Sequence, residues 1–224
     1  MKHKKNRIIK SEDEISKIKK AVRLTEQAIA YAHSKFKLGM TEKDVAVILK
    51  DWAKKRNLKV GFCIVQGDKN TALIHSKPDD NKIEKIMLID FGIIYKRYFG
   101  DITRTYLLNP SREMKKVYAI VLNIHKKAIA KAKHGMCCDE LHNFIEKEIK
   151  KAGYKFLHST GHGIGLQVHE YPRLKRNSEH VLENGMIFTI EPGIYLKNKF
   201  GVRIEDDFAI INKELVKLSK LKYD

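Results

Sequence analysis

The sequence contains four carboxylates that stand within or beside apolar segments: Asp90, Asp101, Glu191 and Glu205. Asp90 follows the apolar run 86–89, and Glu191 follows the mainly apolar run 186–190, so we expect both side chains to be partly buried. An isolated buried charge is costly, and neighbouring carboxylates raise each other's pKa unless cations lie between them. The pattern therefore favours a pair of divalent metal ions held by carboxylates that bridge them.

The alternative is that these acids form ordinary ion pairs. Arg104 and Arg203 lie in the same segments as two of the four acids, and lysines are abundant nearby. Strand alternation places Asp101 on one face with Thr103, and it places Arg203 on one face with Glu205. Ion pairs would account for any single acid, whereas a metal centre accounts for all four at matched positions.

A segment rich in histidine and glycine, residues 158–170, offers nitrogen ligands. It contains His158, His162 and His169, three of the ten histidines of the chain. The glycines around His162 allow the backbone to approach a ligand closely. The spacing of these glycines does not match a dinucleotide-binding motif, and no suitable strand and helix surround them.

The elements that must position these residues occur in the same order twice. In the first half, capping boxes at Ser11 and Thr41 predict two helices, which should stop near Gly39 and Asn57. The periodicity of the first helix extends to about Lys37. Strands are predicted to follow at 62–65, 86–91 and 98–108.

The second half repeats this order. Two helices are predicted from Ser111 onward, and the strands after them carry Glu191 and Glu205. The turns between the paired helices read Lys-Leu-Gly-Met at 37–40 and Lys-His-Gly-Met at 133–136. This internal repeat predicts one domain over 1–224, with halves at roughly 9–109 and 110–218 that pack together.

Charge and composition limit the classes of function. Among the 224 residues, 45 Lys and Arg stand against 27 Asp and Glu, a formal net charge of +18. This excess can indicate a polyanionic partner, but solvated lysine-rich helix faces explain it more simply. No apolar run approaches the ~20 residues that span a bilayer, and no apolar segment follows the basic leader, so neither a membrane anchor nor a secretory signal is expected. Three cysteines predict free thiols, and we expect a cytoplasmic protein.

The order and flanking residues of the predicted ligands resemble the metallopeptidases of the pita-bread fold, from about Ile9 to Leu218. The signatures at 101–105, 191–195 and 201–206 are similar to those of the Xaa-Pro branch, aminopeptidase P and prolidase. The resemblance implies an α+β pita-bread fold, in which two pseudo-twofold-related halves contribute antiparallel sheets covered by helices. Creatinase shares this fold without the metals, and the complete ligand set argues against it.

The resemblance also implies a role for each metal ligand. Asp90 would chelate one ion, His162 and Glu191 would chelate the other, and Asp101 and Glu205 would bridge both. A hydroxide between the two ions would attack the scissile carbonyl. Glu191 is the candidate general base or proton shuttle.

Further roles follow from the same resemblance. His75, His158 and His169 match the family histidines that reach the substrate, line the pocket and stabilise the tetrahedral intermediate. Tyr195 and Arg203 match groups that orient the metal ligands and their water. The predicted substrate-binding residues are His75, His169, Tyr195 and Arg203.

The predicted function is that of a metallo-exopeptidase, a Xaa-Pro aminopeptidase or Xaa-Pro dipeptidase that cleaves the bond between an N-terminal residue and a following proline. Two divalent ions per chain are expected, manganese first, with cobalt, zinc or iron as alternatives. A methionine aminopeptidase is the alternative enzyme, since single-domain length suits it. The alternative of another class is an inactive pita-bread module that binds RNA or ribosomes through the +18 charge.

The predicted partners are peptides with proline at the second position. Enzymes of the Xaa-Pro branch usually carry an N-terminal domain that helps them to dimerise and covers the site. Only a short basic leader precedes Ile8 here, so we expect no such accessory domain, and a homodimer remains an open alternative. Contact with nucleic acid or the ribosome would be secondary to catalysis.

Overall fold

A computed structural model describes residues 7–224, so the basic leader at 1–6 lies outside the described residues. The first part of the chain contains two α-helices, a 3₁₀ helix at Asp68–Ala72 and four strands: α1 (Glu12–Lys35), α2 (Glu42–Lys54), β1 (Lys59–Gly67), β2 (Ile86–Tyr95), β3 (Tyr98–Phe99) and β4 (Ile102–Leu107). The second part contains two helices and seven strands: α3 (Arg112–Lys131), α4 (Cys138–Lys151), β5 (Gly161–Gly163), β6 (Glu170–Leu174), β7 (Ile187–Ile190), β8 (Gly193–Leu196), β9 (Phe200–Arg203), β10 (Asp206–Ile211) and β11 (Glu214–Lys217).

The helix starts agree with their local sequence signals. The side chains of Ser11 and Thr41 each accept a hydrogen bond from the backbone three residues later, and the acid at that position bonds back to the cap. Both predicted capping boxes are therefore confirmed. Helix α1 ends at Lys35, two residues before the predicted end, because Phe36 turns into extended backbone and packs against the core.

The two turns that define the internal repeat share one backbone conformation. Gly39 has φ of +87° and Gly135 has φ of +81°, a left-handed conformation that glycine adopts without steric cost. Each turn links the helices of one pair. Each helix pair lies over its own cluster of buried apolar side chains, one with Val22, Leu49 and Ile89 and the other with Val121, Leu141 and Phe208.

Strand pairing is antiparallel in every sheet of the described residues. In the first sheet β2 pairs with β1, β3 and β4, and the second sheet has the order β11-β10-β7-β5-β6, beside a β8-β9 hairpin. An antiparallel bridge between Thr103 and Glu205 joins the first sheet to the segment between β9 and β10. This bridge brings the two parts of the chain together beside the predicted metal ligands.

The prediction of one continuous strand over 98–108 is wrong at Gly100 and Asp101, which lie between β3 and β4. A Cβ atom at Gly100 would lie 2.6 Å from the backbone nitrogen of Val22, so α1 packs directly against this point. The amide of Asp101 donates to the Asp207 carboxylate. The break results from tertiary contacts, and it turns Asp101 toward the other acids.

Among the described residues, no helix has both the length and the apolar character that crossing a membrane requires. Cys63, Cys137 and Cys138 are free thiols, as predicted.

Candidate metal centre

Five side chains singled out in the sequence converge on one cavity of about 400 Å³. They come from separate elements and are Asp90 in β2, Asp101 before β4, His162 in β5, Glu191 after β7 and Glu205 between β9 and β10. His162 Nε2 lies 3.6 Å from Asp101 Oδ2 and 3.6 Å from Glu191 Oε1. Asp101, His162 and Glu205 each offer a ligand atom within 4.8 Å of the other two. Oxygen and nitrogen donors at these separations can coordinate a metal ion.

The backbone of this cluster is fixed by hydrogen bonds between distant segments. The amide of Glu205 donates to the Thr103 carbonyl at 3.1 Å, and the amide of Glu191 donates to the Thr160 carbonyl at 2.8 Å. The Thr103 hydroxyl donates to Glu205 Oε2 at 2.6 Å. The positions of the two glutamates therefore depend on the pairing of the sheets rather than on side-chain freedom alone.

The carboxylates of this cluster are buried close together. Burial, followed by repulsion from Glu205, raises the pKa of Asp101 and of Glu191 well above the ordinary values. Burial and the neighbouring Asp90 raise the pKa of Glu205 to about 7. Oδ1 of Asp90 and Oδ1 of Asp101 are buried and have no hydrogen-bond partner within residues 7–224. These orphaned oxygens and crowded charges fit a divalent cation, which would favour the ionised carboxylates.

Arg203 is a basic side chain buried behind this cluster. Its Nη2 donates to Asp90 Oδ2 at 2.6 Å, and its Nη1 donates to the Tyr195 hydroxyl at 2.8 Å. Its Nε donates to the Thr103 hydroxyl at 3.3 Å. Asp90 thus forms an ion pair with Arg203, as the alternative to a metal centre predicted. Arg104 pairs with Asp206, which is not one of the four predicted ligands.

The histidines border the same cavity in neutral form. Burial and the neighbouring His169 lower the pKa of His162 to about 3, so its ring keeps a lone pair for a metal ion. Burial and Arg203 lower the pKa of His158 to about 3. His158 contacts the Tyr195 hydroxyl at 3.0 Å, and the His169 ring stands edge-on to the His162 ring at a centroid distance of 4.3 Å.

The remaining predicted residues occupy two kinds of position. His75, His158 and His169 line the cavity, whereas its lining does not include Tyr195 and Arg203. The latter two contact the cluster through Asp90 and His158.

Several residues around the cluster were missed in the sequence. Apolar side chains from β1 and two loops line the cavity together with one arginine: Phe62, Ile64, Ile74, Val168 and Arg173. Ile64 is the direct strand partner of Asp90, a pairing that apolar periodicity does not reveal. Asp207 was also missed, although its place beside Glu205 and Asp206 in an otherwise apolar strand was an available signal.

Comparisons with known proteins agree with this geometry. The sequence pattern of metallopeptidase family M24 matches residues 16–212. The chain is similar to the Xaa-Pro dipeptidase of Pyrococcus furiosus, with 38% identity over 221 residues that cover 96% of this chain and 64% of that protein. The chain spans less than two thirds of the length of the curated relatives that head this comparison.

Solved structures share the fold. The prolidase from Pyrococcus furiosus superimposes with a TM-score of 0.95 at 37% identity, over 98% of this chain and 67% of that one. The X-Pro aminopeptidase from Thermotoga maritima gives a TM-score of 0.94 at 38% identity, over 100% of this chain and 65% of that one. These likenesses confirm the predicted α+β fold and the resemblance drawn from the motifs.

Proposed function

The chain belongs to metallopeptidase family M24, and on that premise we propose that it hydrolyses the peptide bond between an N-terminal residue and a following proline. The observation that carries the proposal is the convergence of five predicted ligands on one cavity whose buried acids lack full compensation by protein cations. The likeness to a Xaa-Pro dipeptidase and an X-Pro aminopeptidase supports this substrate class over N-terminal methionine.

The proposed metal ligands are Asp90, Asp101, His162, Glu191 and Glu205, which would hold two divalent ions. Carboxylate oxygens outnumber nitrogen donors in this set, which favours manganese, with cobalt, zinc or iron as alternatives. When bound, the ions would supply an acidified water molecule and polarise the scissile carbonyl. Asp101 and Glu205 are proposed as the bridging pair, and their ligand atoms lie together with that of His162.

Glu191 is the proposed proton carrier. Its side chain is 14% exposed and borders the cavity, and its Oε2 lies 3.9 Å from His158 Nδ1. A carboxylate at this position can take a proton from the attacking water and deliver it to the leaving nitrogen. Because the proline nitrogen carries no hydrogen in the peptide, that proton must be supplied before proline can leave as an amine.

His75 and His169 are proposed to hold the substrate. Both line the cavity, and burial lowers the pKa of each ring, so both are neutral at pH 7. A neutral imidazole carries one N–H donor, which can hydrogen-bond to a carbonyl oxygen or to the oxygen of the tetrahedral intermediate. Tyr195 and Arg203 are proposed to act on the same site by orienting His158 and Asp90.

The test is a peptidase panel on the purified chain with manganese or cobalt present. We expect release of the first residue from Xaa-Pro and Xaa-Pro-Xaa peptides to exceed release of methionine from Met-Ala-Ser. Glu205→Ala should abolish cleavage, and Glu214→Ala, which removes an exposed acid on β11, is the matched control. Faster release of methionine, or full activity of Glu205→Ala, would show the proposal to be wrong.

A further inference from the structure

The cavity that contains the candidate metal ligands adjoins a second cavity. Ser159 and Arg173 line both, and no proposed metal ligand lines the second. The second cavity measures about 530 Å³, and its other lining residues come from β6 and the loop after it: Tyr171, Lys175, Asn177, Ser178, Glu179 and His180. An elongated ligand could therefore extend from the metal centre past Arg173 into the second cavity.

The charges of the first cavity suggest the direction in which a peptide would lie. A peptide has a positive amine at one end and a negative carboxylate at the other. Beside the proposed metal ligands, the apolar β1 side chains Phe62 and Ile64 provide a place for the side chain of the first residue. Arg173 is the single Lys or Arg in the lining of this cavity and lies at its border with the second. The residues after proline are thus directed toward Arg173 and beyond.

The second cavity has a wall suited to an extended chain. Strand β6 buries Glu170, Pro172 and Leu174 and leaves Tyr171 and Arg173 on the opposite, more open face. Tyr171 is 42% exposed, and its ring stacks on the His180 ring at a centroid distance of 5.0 Å. The pair presents an aromatic surface beside the β6 strand.

The loop that completes this wall is anchored to helix α4. The amide of Asn177 donates to the Asp139 carboxylate at 2.6 Å, and the His180 carbonyl accepts from the Cys138 amide at 2.8 Å. Lys175 is exposed, and within residues 7–224 no carboxylate lies within 4.0 Å of its ammonium group. Its charge is therefore available to a ligand anion.

We propose that Tyr171, Lys175 and His180 form subsites for the residues that follow proline, so that the preferred substrates are Xaa-Pro peptides with two further residues and a free carboxylate. The inference rests on the proposed function. Arg173 is the strand partner of His162, and Lys175 follows two residues later, in the bend that begins after β6 ends at Leu174. A substrate with two residues after proline is therefore the one we expect to pass Arg173 and present its carboxylate to Lys175 in the second cavity.

The experiment compares kcat/KM for a Xaa-Pro dipeptide, a Xaa-Pro-Xaa-Xaa tetrapeptide and the same tetrapeptide with an amidated C-terminus. We expect kcat/KM of the free tetrapeptide to exceed that of its amide by about 1.5-fold to fivefold, mainly through KM, which is the range of an exposed ion pair. This comparison uses the unmodified chain and so does not depend on the folding of any variant.

Variants at Lys175 and Tyr171, with a control at Lys126, test where the residues after proline bind. Lys175→Glu should lower the ratio of free to amidated tetrapeptide kcat/KM to one or below, whereas Lys126→Glu on α3, outside both cavities, should preserve it. Tyr171→Ala should lower tetrapeptide cleavage relative to dipeptide cleavage. If Xaa-Pro bonds are cleaved but the free and amidated tetrapeptides react equally, this inference is wrong and the proposed function stands. If no Xaa-Pro bond is cleaved by the metal-loaded chain, the proposed function itself fails.

Discussion

Glu205 and Asp206 are adjacent in the chain and almost fully buried, yet their surroundings differ sharply. Glu205 belongs to a front cluster, defined as Asp90, Asp101, His162, Glu191 and Glu205. Asp206 belongs to a rear cluster, defined as Arg104, His125, Asp206, Lys217, Ser219 and Tyr223. The front cluster gathers four acids, whereas in the rear cluster Asp206 is the single acid and is surrounded by the donors Arg104, Lys217, Ser219 and Tyr223.

The rear cluster is compensated by the protein itself. Oδ1 of Asp206 accepts from Arg104 Nη2 and from the Ser219 hydroxyl, each at 2.6 Å. Oδ2 lies 2.7 Å from Lys217 Nζ and accepts from the Tyr223 hydroxyl at 2.8 Å. Although burial alone would raise its pKa, Arg104, His125 and Lys217 lower the pKa of Asp206. A fully satisfied acid of this kind needs no ligand and stabilises the fold.

The front cluster is compensated only in part. Arg203 pairs with Asp90, but Oδ1 of Asp90 and Oδ1 of Asp101 have no partner among residues 7–224. Burial alone therefore does not identify an acid as a metal ligand, since Asp206 is as buried as Glu205. Incomplete compensation of several acids around one cavity is the better indicator, because their remaining charge must be neutralised by protons or by a bound cation. Asp207, whose Oδ1 also lacks a partner within residues 7–224, lies outside the lining of that cavity.

The largest effect of a substitution is expected at an acid of the front cluster. Asp101→Asn should reduce peptidase activity by at least about 1000-fold, because metal ions supply several kcal/mol of charge stabilisation in such sites. The metal-free variant should be as stable as the wild type or more so, since one of the repelling carboxylates is gone. Titration calorimetry with Mn²⁺ and thermal unfolding with a chelator present measure the two effects. A large loss of metal-free stability would place Asp101 with the structural acids.

The rear cluster should respond in the opposite way. Asp206→Ala leaves the Arg104 guanidinium buried without its carboxylate, and breaking a buried ion pair costs about 3–5 kcal/mol. We therefore expect the free energy of unfolding to fall by about 3 kcal/mol or more, as measured by urea denaturation of the metal-free chain. A variant as stable as the wild type would contradict the structural role of this cluster.

A smaller effect is expected where the front cluster meets its one arginine. Arg203→Lys keeps the charge but cannot contact Asp90, Tyr195 and Thr103 with the same planar fork. Losing such an orienting contact should weaken metal affinity by about 10- to 100-fold. Titration calorimetry measures the Mn²⁺ affinity. Tyr195→Phe, which removes only the contact between Arg203 and the Tyr195 hydroxyl, should weaken Mn²⁺ binding less. Affinity equal to that of the wild type in Arg203→Lys would limit Arg203 to a charge-balancing role.

The smallest effect is a pH dependence of the metal-free chain. The pKa of Glu205 is raised to about 7, so the stability due to its protonated form is present below the ordinary carboxyl pKa and is lost as pH rises through 7. Asp206, whose pKa is lowered, contributes stability that is lost only as pH falls below the ordinary value.

Histidines with lowered pKa values oppose the Glu205 trend below about pH 6.5 but not above it. Between about pH 6.5 and 8 the melting temperature of the chelator-treated chain should therefore fall by a few degrees. Saturating Mn²⁺ should remove the fall, because the cation holds the acids ionised at both pH values. Scanning fluorimetry between about pH 6.5 and 8 measures the melting temperature. An equal decrease in melting temperature with and without Mn²⁺ would exclude the front cluster as its source.

Much of the site could be predicted because its signals are local. The apolar runs before Asp90 and Glu191, the capping boxes at Ser11 and Thr41 and the left-handed turn at Gly39 depend on residues within a few positions of each other. Helix caps and tight turns are governed by such short-range contacts, so the sequence by itself determined where the helices begin and which acids approach the core.

The pairing of buried charges depends on contacts between segments that are far apart in the chain. Arg203 bonds to Asp90 across 113 positions of the chain, and Arg104 bonds to Asp206 across 102. Gly100 interrupts a predicted strand because α1 packs against it, and the second cavity forms where the loop after β6 is anchored to α4. Residue types limit the candidates for such contacts, but the choice among them follows from the global packing of the sheets. For that reason the sequence could indicate the acids, whereas only the fold separated the incompletely paired acids of the front cluster from Asp206, which the protein compensates.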